Sequence, residues 1–259
     1  MRNASLCLAG TLASLCSAAV AEEWHYSIGL GATNAPRYSG SDERASAPLV
    51  DLEIDGPHGF FLGLDKGLGW KHEWPDASLS AYIGPSEQRK DRRSHFHGSD
   101  RLNGMGSIRS RAQFGLAGTY DIGPFTLGAT FEHALRKDSD RDTGSAYNSL
   151  ELSLSSGLYE GRFGRLDGAL NSRFGDGDYL RTWYGVSQRQ AGRSRFEAYD
   201  ANGGLVSIGA SLTWSYPLGK DTTLVGLFDV QRLAGDAGDS PIVERRTQSA
   251  LSALVEYRF

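Results

Sequence analysis

Residues 204–216 read Gly204-Leu205-Val206-Ser207-Ile208-Gly209-Ala210-Ser211-Leu212-Thr213-Trp214-Ser215-Tyr216. Val206, Ile208, Ala210, Leu212, Trp214 and Tyr216 alternate with Ser207, Gly209, Ser211, Thr213 and Ser215. A period of two with one apolar face predicts a β-strand. The second face decides what kind of sheet it belongs to. Strands of soluble sandwiches turn Lys and Glu to bulk water. Here the face is Ser, Thr and Gly, which suits the crowded lumen of a modest barrel whose apolar face meets lipid.

The pattern recurs along the chain. Leu150, Leu152, Leu154 and Leu158 oppose Ser149, Glu151, Ser153 and Ser155, and Phe125, Leu127, Ala129 and Phe131 oppose Thr126, Gly128, Thr130 and Glu132. Leu251, Ala253, Val255, Tyr257 and Phe259 oppose Ser252, Glu256 and Arg258. These segments approach the roughly 9–11 residues that a tilted strand needs to cross a bilayer.

The connections between strands alternate in length. Long loops are expected at 234–247, 175–203, 137–146 and 86–104, and tight turns at 217–221, 160–163 and 121–123. Outer-membrane barrels pair long extracellular loops with short periplasmic turns. Tyr120, Phe125, Tyr159, Phe163, Trp214, Tyr216, Tyr257 and Phe259 gather at the short-turn ends. Rings at one level predict an interfacial girdle rather than sheet-core aromatics.

With both termini on the periplasmic side the strand count is even. Eight strands run from 249–259 back to 78–85, preceded by 25–33, 47–54 and the stretch 58–72. A turn at Lys66-Gly67 divides that stretch and gives twelve; ten is the alternative. The expected fold is an all-β, antiparallel, up-and-down transmembrane barrel over residues 22–259.

Composition agrees. The chain has 33 glycines among 259 residues, 10% aromatics, 39% hydrophobic residues and a net charge of −4. No repeated run of about 20 apolar residues marks a polytopic helical protein. Aromatic content and low charge argue against disorder, and the balance of charge carries no nucleic-acid signal.

Arg2, the apolar run Leu6–Cys16 and the small-x-small site Ala19-Val20-Ala21 predict a signal peptide over residues 1–21, cleaved after Ala21. The alternative is an uncleaved anchor. Both cysteines, Cys7 and Cys16, fall in this leader, so neither a disulfide nor thiol chemistry is expected beyond it. At the other end, Tyr257 and Phe259 close an alternating strand. An aromatic-ended edge strand can dock in a groove by β-augmentation, the expected signal to the outer-membrane assembly machinery.

Four stretches carry a family resemblance: Tyr38-Ser39-Gly40-Ser41-Asp42, Asp176 through Val186, Ser194 through Leu205, and Gly235 through Val243. Together they resemble the MipA/OmpV family of Gram-negative outer-membrane proteins, most specifically from 176 to 259. The candidate residues in them are Tyr38, Gly40, Asp42, Asp178, Tyr179, Arg181, Tyr184, Gly185, Tyr199, Asp200, Asp239, Ser240 and Pro241. The resemblance implies an outer-membrane location among lipid and lipopolysaccharide. It also implies a scaffold role between a lytic transglycosylase and a peptidoglycan synthase. Other members are described as adhesins or porin-like proteins.

Constellations for chemistry are sparse. The histidines 25, 58, 72, 95, 97 and 133 form no H-E-x-x-H pattern, so no zinc site is expected. Asp138, Asp140 and Asp142 alternate, as do Asp176 and Asp178, but the EF-hand glycine and terminal glutamate are missing. His133 shares the Phe131 face, away from a lumen where a hydrolytic base would meet substrate. His95-Phe96-His97 lies among Arg89, Lys90, Arg92 and Arg93. That loop reads as a solvated rim, or alternatively as a binder of lipopolysaccharide phosphate. Loop 175–203 is the leading functional candidate. Trp183, Tyr184, Phe196 and Tyr199 lie among Arg181, Arg189, Arg193 and Arg195, a composition like an interaction hot spot. The other reading folds this loop inward across the lumen.

The sequence therefore predicts a monomeric, non-catalytic barrel without cofactor. A scaffold is the first reading, a narrow pore the second and an adhesin the third.

Overall fold

Alternation of side chains lets a strand bury its backbone in hydrogen bonds while offering lipid and lumen different chemistries. The computed structural model describes residues 24–137 and 139–259. Ala19 and Ala21, with the rest of the expected leader, and Asp138 lie outside the described residues.

The barrel opens with β1 (His25–Pro36), β2 (Arg44–Asp55), β3 (Phe60–Gly63), β4 (Gly67–Trp74), β5 (Ala77–Pro85) and β6 (Ala112–Ile122). It continues with β7 (Phe125–Ala134), β8 (Tyr147–Gly161), β9 (Gly164–Gly175), β10 (Gly204–Pro217), β11 (Thr222–Leu233) and β12 (Thr247–Arg258). Each strand pairs with its chain neighbour, and β1 closes on β12, for example through Leu30↔Val255. The twelve-strand reading holds and the ten-strand alternative fails. Residues 58–74 hold the two shortest strands, β3 with four residues and β4 with eight. Gly67 turns the chain between them at φ +76°, and a Cβ there would meet the Ile83 carbonyl oxygen at 2.3 Å. Glycine meets both demands.

Leu30, Val50, Leu68, Ile83, Leu170, Ile208 and Leu251 are all half or more exposed on the outer surface. An apolar belt of this extent belongs in lipid, not water. Among the described residues no helix is long and apolar enough to cross a membrane, so the strands make the crossing. At the short-turn end, outward rings stack as Trp24–Tyr26, Trp70–His72 and Trp214–Tyr216, and Tyr257 meets Phe259 edge-on. The Trp214 indole N–H donates to the Phe163 carbonyl at 2.8 Å and that of Trp70 to His58 at 2.9 Å. An amphipathic ring with a bonded polar edge suits the membrane–water boundary.

One face assignment is corrected. Val206 is 2% exposed and packs inward, not toward lipid. The register between β9 and β10 shifts at Leu205/Ser207, and such a bulge reverses the alternation locally. From Ile208 onward the expected outer face is kept.

Glycines on the lumen side admit rings. Tyr82 of β5 lies over Gly115 of β6, its register partner, where an added Cβ would fall 2.0 Å from the ring. The Tyr82 hydroxyl donates to Glu132 Oε1 at 2.8 Å. Gly115→Val displaces that ring and breaks this bond, an overpacking cost of about 1–3 kcal/mol. The expected outcome is a lower temperature of conversion from the fast-migrating folded band to the unfolded band in unboiled detergent gels. Tyr82→Phe, which keeps the ring, should shift it less.

Candidate functional site

The long loops do not stand in solvent; they fold into the extracellular end. Loop 176–203 forms α1 (Gly177–Tyr184) and α2 (Gln188–Ala191), and the last loop forms α3 (Gly235–Asp239). Asp176 caps α1. Its Oδ1 accepts from the Tyr179 amide at 2.7 Å, and its Oδ2 accepts from the Asn148 amide at 3.0 Å and side chain at 2.6 Å. One carboxylate thus ends a helix and fixes it to β8. Ser187 and Gln190 form a reciprocal capping box on α2, while Gln190 Nε2 donates to the Met105 carbonyl at 2.6 Å.

Two apolar clusters weld these pieces together. One contains Tyr147, Tyr179, Leu180, Trp183, Tyr184, Val206, Leu233 and Ala237. The other joins Tyr38, Leu102, Met105, Val186, Phe196 and Ile242. Trp183, Tyr184 and Phe196 are therefore core residues of a plug, which corrects their reading as a displayed hot spot. The inward alternative for this loop is the observed one. The basic loop also differs from expectation. It runs from 86 to 111, and Leu102, Met105 and Ile108 are fully buried. Only part of it is a solvated rim. Arg89 is buried, and its Nη1 donates to the Trp183 carbonyl. Burial lowers its pKa to about 10, which leaves the guanidinium charged at neutral pH. No local pattern distinguishes Arg89 from its exposed neighbours.

Most of the family-motif residues meet in this plug. The Tyr38 hydroxyl donates to the Ile242 carbonyl at 3.0 Å, and burial raises its pKa. Gly40, at φ +102°, packs on Val243; its carbonyl accepts from Glu244 and Arg245, and its amide donates to Gln248. The Tyr184 hydroxyl bonds Ser39 at 2.8 Å, and Ser240 donates to the Tyr184 carbonyl. Gly185 ends α1, and Pro241 lies in the turn between Ser240 and Ile242. Tyr199 bridges to Val186 through the backbone and to the Asp236 carbonyl through its hydroxyl at 2.9 Å. Asp178–Arg181 and Asp239–Arg246 are exposed ion pairs, and the exposed Asp200 lines one cavity with Arg181. Asp42 adjoins Glu244, whose pKa is raised by burial first and by Asp42 second. Asp140 and Asp142 pair with Arg189 at 3.5 and 3.0 Å.

Below the plug lies a cavity of about 380 Å³, lined in part by Arg37, Arg89, Glu87, Arg173 and Gln248. At the periplasmic half a second cavity of about 330 Å³ is lined by Glu53, Lys66, Lys71, Glu73, Ser78 and Thr130. His133 stays on the outer face, bonded to Asn148 at 2.8 Å. Trp183→Ala removes about 3–5 kcal/mol of packing from the plug. Trypsin should then cleave at Arg189 and Arg193 far faster than in the native protein, while heat-modifiable migration shows the strands intact.

The MltA-interacting protein MipA family profile matches residues 28–259. "Putative outer membrane protein YiaT" of Escherichia coli (strain K12) is 29% identical over 109 residues, 42% of this chain and 44% of that protein. The chain thus matches less than half the length of this curated relative. Among solved structures, the Pseudomonas putida toluene transporter TodX is 12% identical, with a TM-score of 0.40 over 92% of this chain and 89% of that one. OprD of Pseudomonas aeruginosa is 14% identical, with a TM-score of 0.39 over 90% of this chain and 65% of that one. With the lipid-facing belt, the closed barrel and the profile match in hand, the chain belongs to the MltA-interacting protein MipA family and is a barrel of the bacterial outer membrane.

Proposed function

We propose that this protein is a non-catalytic scaffold that holds a lytic transglycosylase, together with a peptidoglycan synthase, at the periplasmic mouth of the barrel. The observation that carries this reading is the difference between the two ends. Four loops, 37–43, 86–111, 176–203 and 234–246, and two buried clusters close the extracellular end. The periplasmic half keeps a charged vestibule, with Lys71 paired to Asp55 at 2.9 Å and with Glu53, Lys66 and Glu73 nearby. A barrel shut outside and charged inside suits a partner arriving from the periplasm more than a through-flow of solute. The family is described as MltA-interacting, and the resemblance implies a lytic transglycosylase as that partner. On this reading the monomer is the working unit. Tyr257 and Phe259 serve the assembly machinery before β1 covers the β12 edge.

Two measurements test this. Purified protein in planar bilayers should give no stable conductance steps, whereas a short Gly-Ser link in place of residues 177–202 should open them. Steps in the native protein would favour a pore. Detergent-solubilised native protein should also retain a purified lytic transglycosylase, and Lys66→Glu with Lys71→Glu should weaken that retention about tenfold or more, the range for truncated charge pairs in interfaces. Equal retention by both forms would overturn the vestibule as the docking surface.

A further inference from the structure

The barrel is closed in topology but not in height. Strand β2 pairs with β3 only over Glu53–Asp55, and the Leu64 amide donates to the Leu52 carbonyl at 3.1 Å. Above Leu52, residues Arg44–Val50 pair with β1 on one side, and among the described residues no strand pairs with the other. The β3–β4 hairpin stops there because it turns at Leu64–Lys66, whereas β5 is paired with β4 up to Ile83. Two strands are therefore missing from the upper wall. Three inter-strand steps of about 4.8 Å place β2 and β5 about 14 Å apart across the hairpin, and the free edge is about 20 Å long.

Three sequence features fit an edge left open. Leu52 uses its carbonyl on the β3 side, so alternate residues 50, 48, 46 and 44 aim their backbone groups into the gap. Residue 48 is proline, which has no N–H to leave unpaired and which blocks pairing by another strand. At the sill, the hairpin tip carries the exposed charges Asp65 and Lys66, and Lys66 lines the second cavity. A charged tip at that height requires water beside it.

The upper boundary is basic. Loop 86–111 leaves β5 and reaches the turn before β2, where Arg37 Nη1 donates to the carbonyls of Ser94 and Gly98 at 3.2 and 3.3 Å. Exposed Lys90, Arg92 and Arg93 lie on this crossing segment, and none makes an ion pair among the described residues. Behind it is the 380 Å³ cavity, lined by Ala35–Arg37 on one flank, Glu87–Arg89 on the other and His97 of the crossing segment. Arg37 and Arg89, which line it, carry buried nitrogens without a hydrogen-bond partner: Nε of Arg37, and Nε and Nη2 of Arg89. Arg37 Nε stands 3.7 Å from Glu43, and the Glu87 carboxylate is 3.4 Å from Arg173. Guanidinium groups that line a cavity and are incompletely hydrogen-bonded suit an anionic guest.

We propose that the gap between β2 and β5 is a lateral binding groove for an anionic, acyl-chain amphiphile from the outer leaflet. The chain lies along the β2 edge over Val50, Leu52 and Ile83. The phosphate or carboxylate head passes beneath the basic crossing segment to Arg37 and Arg89. Pro48 disfavours a second protein strand as the occupant.

Residues 22–259 contain no cysteine, and Cys7→Ser with Cys16→Ser leaves a single label in either variant. Val50→Cys in the groove and Val255→Cys on the continuous wall each carry a fluorophore. Both are reconstituted in phosphatidylcholine vesicles containing brominated phosphatidylglycerol or brominated phosphatidylcholine. The expected result is several-fold stronger quenching by phosphatidylglycerol at position 50 and equal quenching by both lipids at 255. Arg37→Gln with Arg89→Gln should abolish the preference. If that pair does not give a heat-modifiable barrel, Lys90→Ser, Arg92→Ser and Arg93→Ser together should reduce it. Equal quenching by the two lipids at position 50 overturns the proposal, as does a preference that survives the substitutions. Disulfide-linked dimers through position 50, shielded from both lipids, would place a second copy in the groove and also overturn it.

Discussion

The structure depends on one constraint: a backbone amide or carbonyl in hydrocarbon has no water to turn to, so the strands satisfy one another. Pairing of β1 with β12 over Ser27–Asn34 joins the first and last strands of an otherwise ordinary meander. Once the ring is closed, every side chain has one of two destinations. The Leu-, Val- and Phe-rich face goes to lipid and the Ser-, Thr- and Gly-rich face to the lumen. The amphipathic rings at the short-turn end then set the depth of the barrel in the bilayer.

A lumen lined by small residues leaves space, and the protein fills the two halves differently. The outer half receives loops, whose tyrosines and Trp183 form a core of the kind found in soluble domains. Asp176 holds that core to β8 through a helix cap, and the buried guanidinium of Arg89 ties loop 86–111 to α1. The inner half keeps its charges and its cavity. The distinction between a sealed outer end and a receptive inner end underlies the scaffold reading. Where the same constraint is relaxed, along the upper edge of β2, the sequence supplies a proline, a charged hairpin tip and a basic crossing segment.

Much of the architecture was legible in the sequence because its cause is local and repeated. Alternation at 204–216, 148–158 and 249–259 reports the environment of each residue through a period that a strand imposes. The alternating long and short connections report sidedness, and evenness of count follows from it. Even the division of 58–72 at Lys66-Gly67 rested on a single residue able to turn there. The stretches that carry the family resemblance are ones that fold into the plug.

What the sequence did not determine is where those stretches go. Tyr38 bonds the Ile242 carbonyl 204 residues away, and Tyr184 bonds Ser39 across 145. Such contacts have no period to read. An aromatic, arginine-rich loop has the same composition whether it is displayed or buried, so only packing decided that Trp183 and Phe196 are core. The inward turn of Val206 needed the bulge at Leu205/Ser207, a fact of pairing between two strands. The opening beside β2 likewise comes from the relative lengths and registers of four strands. The sequence by itself determined a barrel with a lipid face, a lumen face and two unlike ends. The tertiary structure decided that the outer end is plugged and one wall is short, because both depend on contacts between segments that local alternation cannot encode.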